Sequence, residues 1–533
     1  MKHQQREEYI EIVQGCQQVR MKICSEMEIS IQKSEFYRQV NAQLGKLDYR
    51  KLYKAYSGSI RKSQVEPRIL FEILVCAYML GVYTSRGIER LCRENVQFIL
   101  ILDRHAAPDH CTISRFRSGK KTQEAIEELF YQYTAILEEE GFTNHEEVFI
   151  DGTKLESRAN RYSFVWKKTV EKQLAKIKEQ AKAEMGLQEG YVTRNRLREE
   201  VNRLNEQIEA EGIVVQRGRG HHKPEIVRRR DNLNGLLERW DGYEEKKRIL
   251  GDGRNSYSKT DPDATFMHMK DDHMRNGQLK PGYNVQFAVN SEFITGIGVY
   301  SNRTDYGTLP QFLERLNRQH GKRYRRVVAD SGYESLSNYR YLEKHGQEAY
   351  IKPQNYESRK TKKFREQIGR SENMAYYEPK DYFVCKNERI LERVSTAEEK
   401  TKDGTVREAA HYRCEDCRSC PYRAACCKAK DPEKPKEIVI CWEQAAYREA
   451  SLERISSEEG KLLRVNRSIQ VEGAFGELKR NRGFTRFLTC GVRNVTTELY
   501  LHAMAQNILK YLAKCNRKQP KAHLLQPKSM LKF

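Results

Sequence analysis

The chain has no long hydrophobic run: nothing in its 533 residues approaches the roughly 18–20 consecutive apolar positions that a membrane helix needs. Its opening residues, Met1 to Glu8, are polar and lack the apolar segment of a secretory leader. These two absences lead to the expectation of an intracellular protein. Acidic charge is also in deficit, with 74 Asp and Glu against 96 Lys and Arg, a formal net charge of +22 and a pI near 9.3. Such an excess favours a polyanionic partner, because each phosphate neutralised releases condensed counterions. Apolar residues make up 38% of the chain and mean hydropathy is −0.83, so the surface is heavily charged. The length allows several domains and at least one large core.

The first informative stretch is residues 147–168. Val148, Phe149 and Ile150 are a short β-prone run that reads as a buried strand ending in Asp151 and Gly152. Lys154, Arg158, Arg161, Lys167 and Lys168 follow. A carboxylate at a strand end suits a divalent metal, and the basic segment behind it, Lys154 and Arg158 first, suits a DNA backbone. Further on, Tyr283 to Val289 alternates as a strand, 293–300 is its hairpin partner and 309–316 is helical. Arg-Val-Val-Ala-Asp-Ser-Gly-Tyr (326–333) is a second buried strand that ends in a carboxylate, Asp330, and 348–351 is a fifth. The order is strand, insert, strand, strand, helix, strand, helix, strand. It resembles the α/β, mixed-sheet ribonuclease-H-like fold, whose first and fourth strands are neighbours. Asp151 and Asp330 would then lie side by side although 179 residues separate them (330 − 151). Two carboxylates forced together are costly unless cations sit between them.

Around this core the sequence suggests further units. Residues 1–140 read as a helical N-terminal domain, amphipathic from the start, with Cys16 and Cys24 as small apolar residues. A core helix runs from Pro67 to Gly81 and a second carries Ser85, Ile88, Leu91 and Cys92. After a loop at 106–109, a short helix holds Thr112 to Arg117. Residues 85–118 thus have the pattern of a helix-turn-helix in which Arg115 and Arg117 meet DNA; an ordinary helical bundle is the alternative. Between 165 and 250, Val170, Leu174 and Ile177, then Leu197, Val201, Leu204 and Ile208, follow 3-4 spacing, with Leu233, Leu236, Leu237 and Trp240 on a returning helix. This predicts an inserted helical hairpin with a basic tip at Arg217, Arg219, His221, His222 and Lys223. Asp261 and Asp263 read as turn formers.

Residues 356–459 form a second insertion. The chain's fourteen cysteines argue for metal or free thiols over a disulfide framework. Cys414-x2-Cys417-x2-Cys420-x5-Cys426 has the spacing of a structural zinc site, with Cys385 an alternative ligand. The other reading is free thiols or a redox pair. Residues 513–533 are a basic tail.

A third carboxylate lies in Val-Glu-Gly-Ala-Phe-Gly-Glu-Leu-Lys (471–479). On an α-helix Glu472 and Lys479 are about two turns apart and share a face, whereas Glu477 lies on another. With Phe-Ile-Asp-Gly-Thr (149–153) and Val-Ala-Asp-Ser-Gly-Tyr (328–333), this segment makes the chain resemble the DDE transposases of bacterial insertion sequences. The resemblance is in particular to the group whose third acid lies in Tyr-x2-Arg-x3-Glu-x6-Lys. Here Val465 and Ser468 occupy the Tyr and Arg positions, while Arg464 and Arg467 each sit one residue earlier. The likeness covers roughly 60–512 and assigns 145–163, 255–355 and 460–512 to the catalytic domain. It implies that Asp151, Asp330 and Glu472 hold two Mg²⁺ ions for DNA end cleavage and strand transfer. It further implies DNA contacts by Lys479, Arg464 and Arg467, double-stranded DNA (terminal inverted repeats and target) as partner, and a homodimer that joins two ends. The setting would be the cytoplasm, at the nucleoid. Trp442 is a candidate for stacking a flipped base. A hydrolytic nuclease on the same fold and a non-catalytic DNA-binding relative are the competing readings.

Overall fold

The computed structural model describes residues 10–13, 18–22, 28–57, 65–187, 190–214, 222–269, 277–401, 404–429, 431 and 433–517. The apolar runs of the middle of the chain pair into one mixed sheet. Its order is Glu348–Ile351, Arg326–Ala329, Glu147–Glu156 and Leu279–Asn290. The first three strands are parallel, and Leu279–Asn290 runs antiparallel to Glu147–Glu156. On its far side Leu279–Asn290 pairs with Phe293–Tyr300 and, through its first residues, with a short strand Thr265–His268 that the sequence reading lacked.

Strict alternation sends side chains to two covered faces. Val148, Ile150, Val327 and Ala329 pack against the helices Leu309–His320 and Leu336–Lys344. Phe149, Val285, Phe287 and Val328 face the opposite way, onto the helical segment 458–481 and the long helix Val492–Asn516. That long helix also packs against Pro67–Met79 and Lys120–Glu139, so the N-terminal helices and the sheet share one continuous core. Among the described residues no helix is long and apolar enough to cross a membrane.

Several expectations are corrected. Residues 10–32 are not helical: Ile10–Val13, Gln18–Lys22 and Glu28–Gln32 form a three-stranded antiparallel sheet. The alternation of Ile10 and Ile12, Val19 and Met21, and Ile29 and Ile31 with polar residues is a period of two, which outweighs the helical reading. Cys16, Cys24 and the residues after Arg517 lie outside the described residues. In the 85–118 region an extra helix, Val96–Leu102, stands between Ser85–Glu94 and His110–Ser118.

The insertion at 165–250 has three helices, Lys167–Glu184, Arg194–Ala210 and Glu225–Leu250, around the apolar positions read from the sequence. The extra break falls at Gly186 and Gly190, whose φ values of +70° and +97° suit glycine. Arg217, Arg219 and His221 of the basic tip lie outside the described residues, and Lys223 pairs with Asp231 at 2.6 Å. The Cys-rich insertion holds a five-stranded antiparallel sheet, Ala375–Tyr377, Tyr382–Val384, Ile390–Lys400, Val406–Cys414 and Glu437–Ile440, paired in chain order.

Candidate active site

Asp151 does not end its strand, which continues to Glu156. What ends there is the parallel neighbour: Ala329 is the last residue of Arg326–Ala329 and pairs with Ile150. Asp151 is therefore the first residue beyond that partner, and Asp330, next after Ala329, lies alongside it. Both carboxylates are half-buried. Gly152 follows Asp151 and donates its backbone N–H to Asp151 Oδ1 at 2.7 Å. Asp261 is fully buried and accepts from Tyr283 Oη at 2.7 Å and from the Gly491 N–H at 3.0 Å, so it fastens loops together.

The third acid arrives on segment 458–481. This is not the plain α-helix of the sequence reading. Glu458–Arg467 is α, Ser468–Glu472 is π, Gly473–Gly476 is α and Glu477–Asn481 is π again. A π turn takes more residues than an α turn, so seven residues from Glu472 to Lys479 fall short of two turns. Val471, Ala474, Phe475 and Leu478 are the buried face. Phe475 stacks on Phe287 with centroids 4.5 Å apart and planes at 16°. Phe287 is the cross-strand partner of Asp151, so this stack sets the acid-bearing turn above that carboxylate.

Glu472 is 62% exposed and is tied to Asp151 through Arg467. Arg467 Nη1 donates to Asp151 Oδ2 at 3.1 Å and Nη2 lies 3.7 Å from Glu472 Oε1. Arg467, expected on a phosphate, instead bridges two carboxylates. Glu477 is held by Arg482 Nε at 3.1 Å and by Asn481 Nδ2 at 2.5 Å and plays no part here. Lys479 is half-buried. Arg464 donates to Tyr356 Oη at 3.0 Å and lies over its ring at 4.6 Å, with Lys360 over the same ring at 4.1 Å.

A further acid, Asp305, was not legible in the sequence. It sits in the turn-rich loop 301–307, where a lone Asp is an ordinary loop residue. Its Oδ1 accepts from Asn284 Nδ2 at 2.7 Å and Gln286 Nε2 at 3.1 Å.

Among the described residues no three Asp, Glu, His or Cys side chains are set as a ready-made metal site. The side-chain donors of Asp151, Asp330 and Glu472 are all oxygens, the donor chemistry of a hard divalent cation, and a guanidinium bridges two of the three.

A family model described as "Transposase DDE domain" matches residues 384–512, which include Glu472, and one described as "Transposase domain (DUF772)" matches residues 25–119. Together the two models support an insertion-sequence DDE transposase. No curated protein and no solved structure matches it.

In the second insertion Cys385, Cys414, Cys417 and Cys426 gather at one end of the sheet, while Cys441 follows Ile440 at the other. Cys414 and Cys417 are buried in the core formed with Phe383, Leu391 and Tyr412, and Cys385 packs against it. Burial and the neighbouring Cys417 and Cys385 push the Cys414 thiol up to about 12. Cys420 and Cys426 are half-buried, and every cysteine among the described residues is free. Trp442 belongs to the same insertion: it lies 4.6 Å from the Tyr376 ring and donates Nε1–H to Tyr412 Oη at 3.0 Å. It packs within the insertion, on Tyr376, Phe383 and Tyr412.

The N-terminal arginines divide. Arg115 is exposed, its Nε donating to the Cys111 carbonyl at 3.2 Å. Arg117 is 6% exposed and cannot read DNA: it donates to the Tyr83 carbonyl at 2.8 Å, Tyr78 Oη at 3.2 Å and Ser85 Oγ at 3.3 Å. Arg117→Met should destabilise the transposase by about 2 kcal/mol by leaving buried acceptors unmet. A lower melting temperature, with unchanged DNA affinity of the folded protein, is the result expected. Lys154 is half-buried within its strand, and Arg158 is exposed with Nη1 on the Leu488 carbonyl at 3.1 Å.

Proposed function

We propose that the protein cleaves the ends of its element and joins them to target DNA by two-metal phosphoryl transfer on a ribonuclease-H-like domain. The observation that carries this reading is the parallel register that places Asp330 beside Asp151. The strand order and the docking of the Glu472 turn on Phe287 support it. Asp151, Asp330 and Glu472 would hold two Mg²⁺ ions, which when bound activate a water and stabilise the leaving 3′-oxygen.

The chain's own residues do the rest. Asp151 and Asp330 present oxygens from adjacent strands, and Glu472 closes over them from the helix. Arg467 screens the acids until DNA arrives and then turns to a phosphate. Arg464, Lys360 and Lys479 line the approach and hold the backbone. A freed 3′-hydroxyl at the element end then attacks a target phosphodiester. Arg115, Lys154 and Arg158 extend the basic surface that binds the terminal repeats, with residues 1–140 as the end-binding region. Two protomers bring the two ends together, in the cytoplasm at the nucleoid.

The test is an end-joining assay with labelled duplexes carrying the element's ends, a plasmid target, and Mg²⁺ or EDTA. Joined products in Mg²⁺ alone would establish the reading. Cleavage without joining would replace it with a nuclease, and binding without cleavage with a non-catalytic relative.

The Cys-rich sheet would be tied by a structural zinc on four of Cys385, Cys414, Cys417, Cys420 and Cys426. Elemental analysis of purified protein should find about one zinc per chain, lost in Cys414→Ser with a lower melting temperature. Protein folded without zinc would refute this.

A further inference from the structure

Asp305 approaches both acid-bearing segments at once, from the face of the sheet opposite Phe287. A Cβ on Gly152, the residue after Asp151, would lie 2.6 Å from Asp305 Oδ1. A Cβ on Gly332, two residues after Asp330, would lie 3.4 Å from Asp305 Oδ2. One carboxylate thus packs an oxygen against each acid-bearing backbone, and a side chain at position 152 would crowd the first contact. The groups holding Oδ1 are the neutral amides of Asn284 and Gln286, both buried.

Two orphaned polar atoms adjoin this carboxylate. Gln286 is fully buried and has no partner for Oε1, although its Nε2 is on Asp305. Tyr333, also fully buried, has no partner for its hydroxyl. Burial, then Asp305 and Asp151, hold that hydroxyl well above its usual range, so both carboxylates act on it. A third negative charge behind Asp151 and Asp330, with an unmatched donor and acceptor beside it, raises the pull of the corner on a cation.

We propose that Asp305 is a fourth carboxylate of the acidic centre, a positioning residue that sets the spacing of Asp151 and Asp330 and strengthens their hold on a divalent cation. The proposal rests on the reading of Asp151 and Asp330 as cation ligands. Mn²⁺ binding to the DNA-free full-length protein, followed by electron paramagnetic resonance, tests it alongside the melting temperature in EDTA. Asp305→Asn keeps the shape and both amide contacts while removing the charge. It should weaken Mn²⁺ binding about 10–100-fold, as loss of a group supporting metal ligands does, with no change in melting temperature. The Mg²⁺ needed for half-maximal cleavage should rise by the same factor. A merely structural Asp305 would lower the melting temperature and leave the affinity of the folded protein alone. If Asp305→Asn does not fold, Asp305→Ser serves in its place. Wild-type Mn²⁺ affinity in either folded variant, with Asp330→Asn impaired, overturns the role of Asp305. Wild-type affinity in Asp330→Asn as well would overturn the reading of the acids beneath it.

Discussion

Asp330→Ala should abolish both cleavage and joining while leaving DNA affinity within about twofold of wild type. The residue lies beside Asp151, just past the end of a four-residue strand. Its loss removes one of the oxygens that would fix the cations. Their stabilisation of developing charge amounts to several kcal/mol. At 1.36 kcal/mol per factor of ten, roughly 4 kcal/mol corresponds to a thousandfold loss of rate. Binding by contrast comes from phosphates meeting Lys and Arg, and its salt dependence should not change. Gel-shift titrations at two salt concentrations, beside the end-joining assay, separate the two quantities. A variant that still cleaved within tenfold of wild type would remove Asp330 from the centre.

Phe475→Ala should be the most damaging change outside the acids. Phe475 is 8% exposed and stacked on Phe287. Truncating a buried aromatic costs about 3–5 kcal/mol through lost transfer energy and the cavity left behind. The same ring sets the turn that carries Glu472, which has no apolar anchor of its own and is mostly exposed. Activity should therefore fall further than folded protein does. Phe475→Leu, which refills most of the space, should recover melting temperature but only part of the turnover. Equal recovery of both would mean that the stack stabilises the fold without placing the acid.

The parts of this architecture legible in the sequence are those where burial writes a pattern. Val148 to Ile150 and Arg326 to Ala329 are buried on both faces and so read as apolar runs with an acid at the end. The three-helix insertion was legible in its spacing at Val170, Leu174 and Ile177 but not in its breaks, which two glycines decide. The strand Ile390–Lys400 was invisible because most of its residues face solvent, so burial imposes no apolar alternation on them. The π turns around Glu472 follow from docking on the sheet, which no local propensity encodes. Arg117 was misassigned because a cation in a short helix looks the same whether it meets a phosphate or three buried acceptors. Asp305 stayed hidden because its importance lies in two glycines, 153 and 27 residues away (305 − 152 and 332 − 305).

The long helix Val492–Asn516 packs against Pro67–Met79, Lys120–Glu139 and Phe293–Tyr300. As the chain leaves the ribosome, the N-terminal helices and the sheet are therefore both made with an open side that this later helix closes. Neither half can reach its final stability before that helix is made, since its contacts with Pro67–Met79 alone span more than 400 residues of sequence (492 − 79). A nascent chain that stalls before this helix keeps that apolar side open and is a substrate for chaperones and proteases.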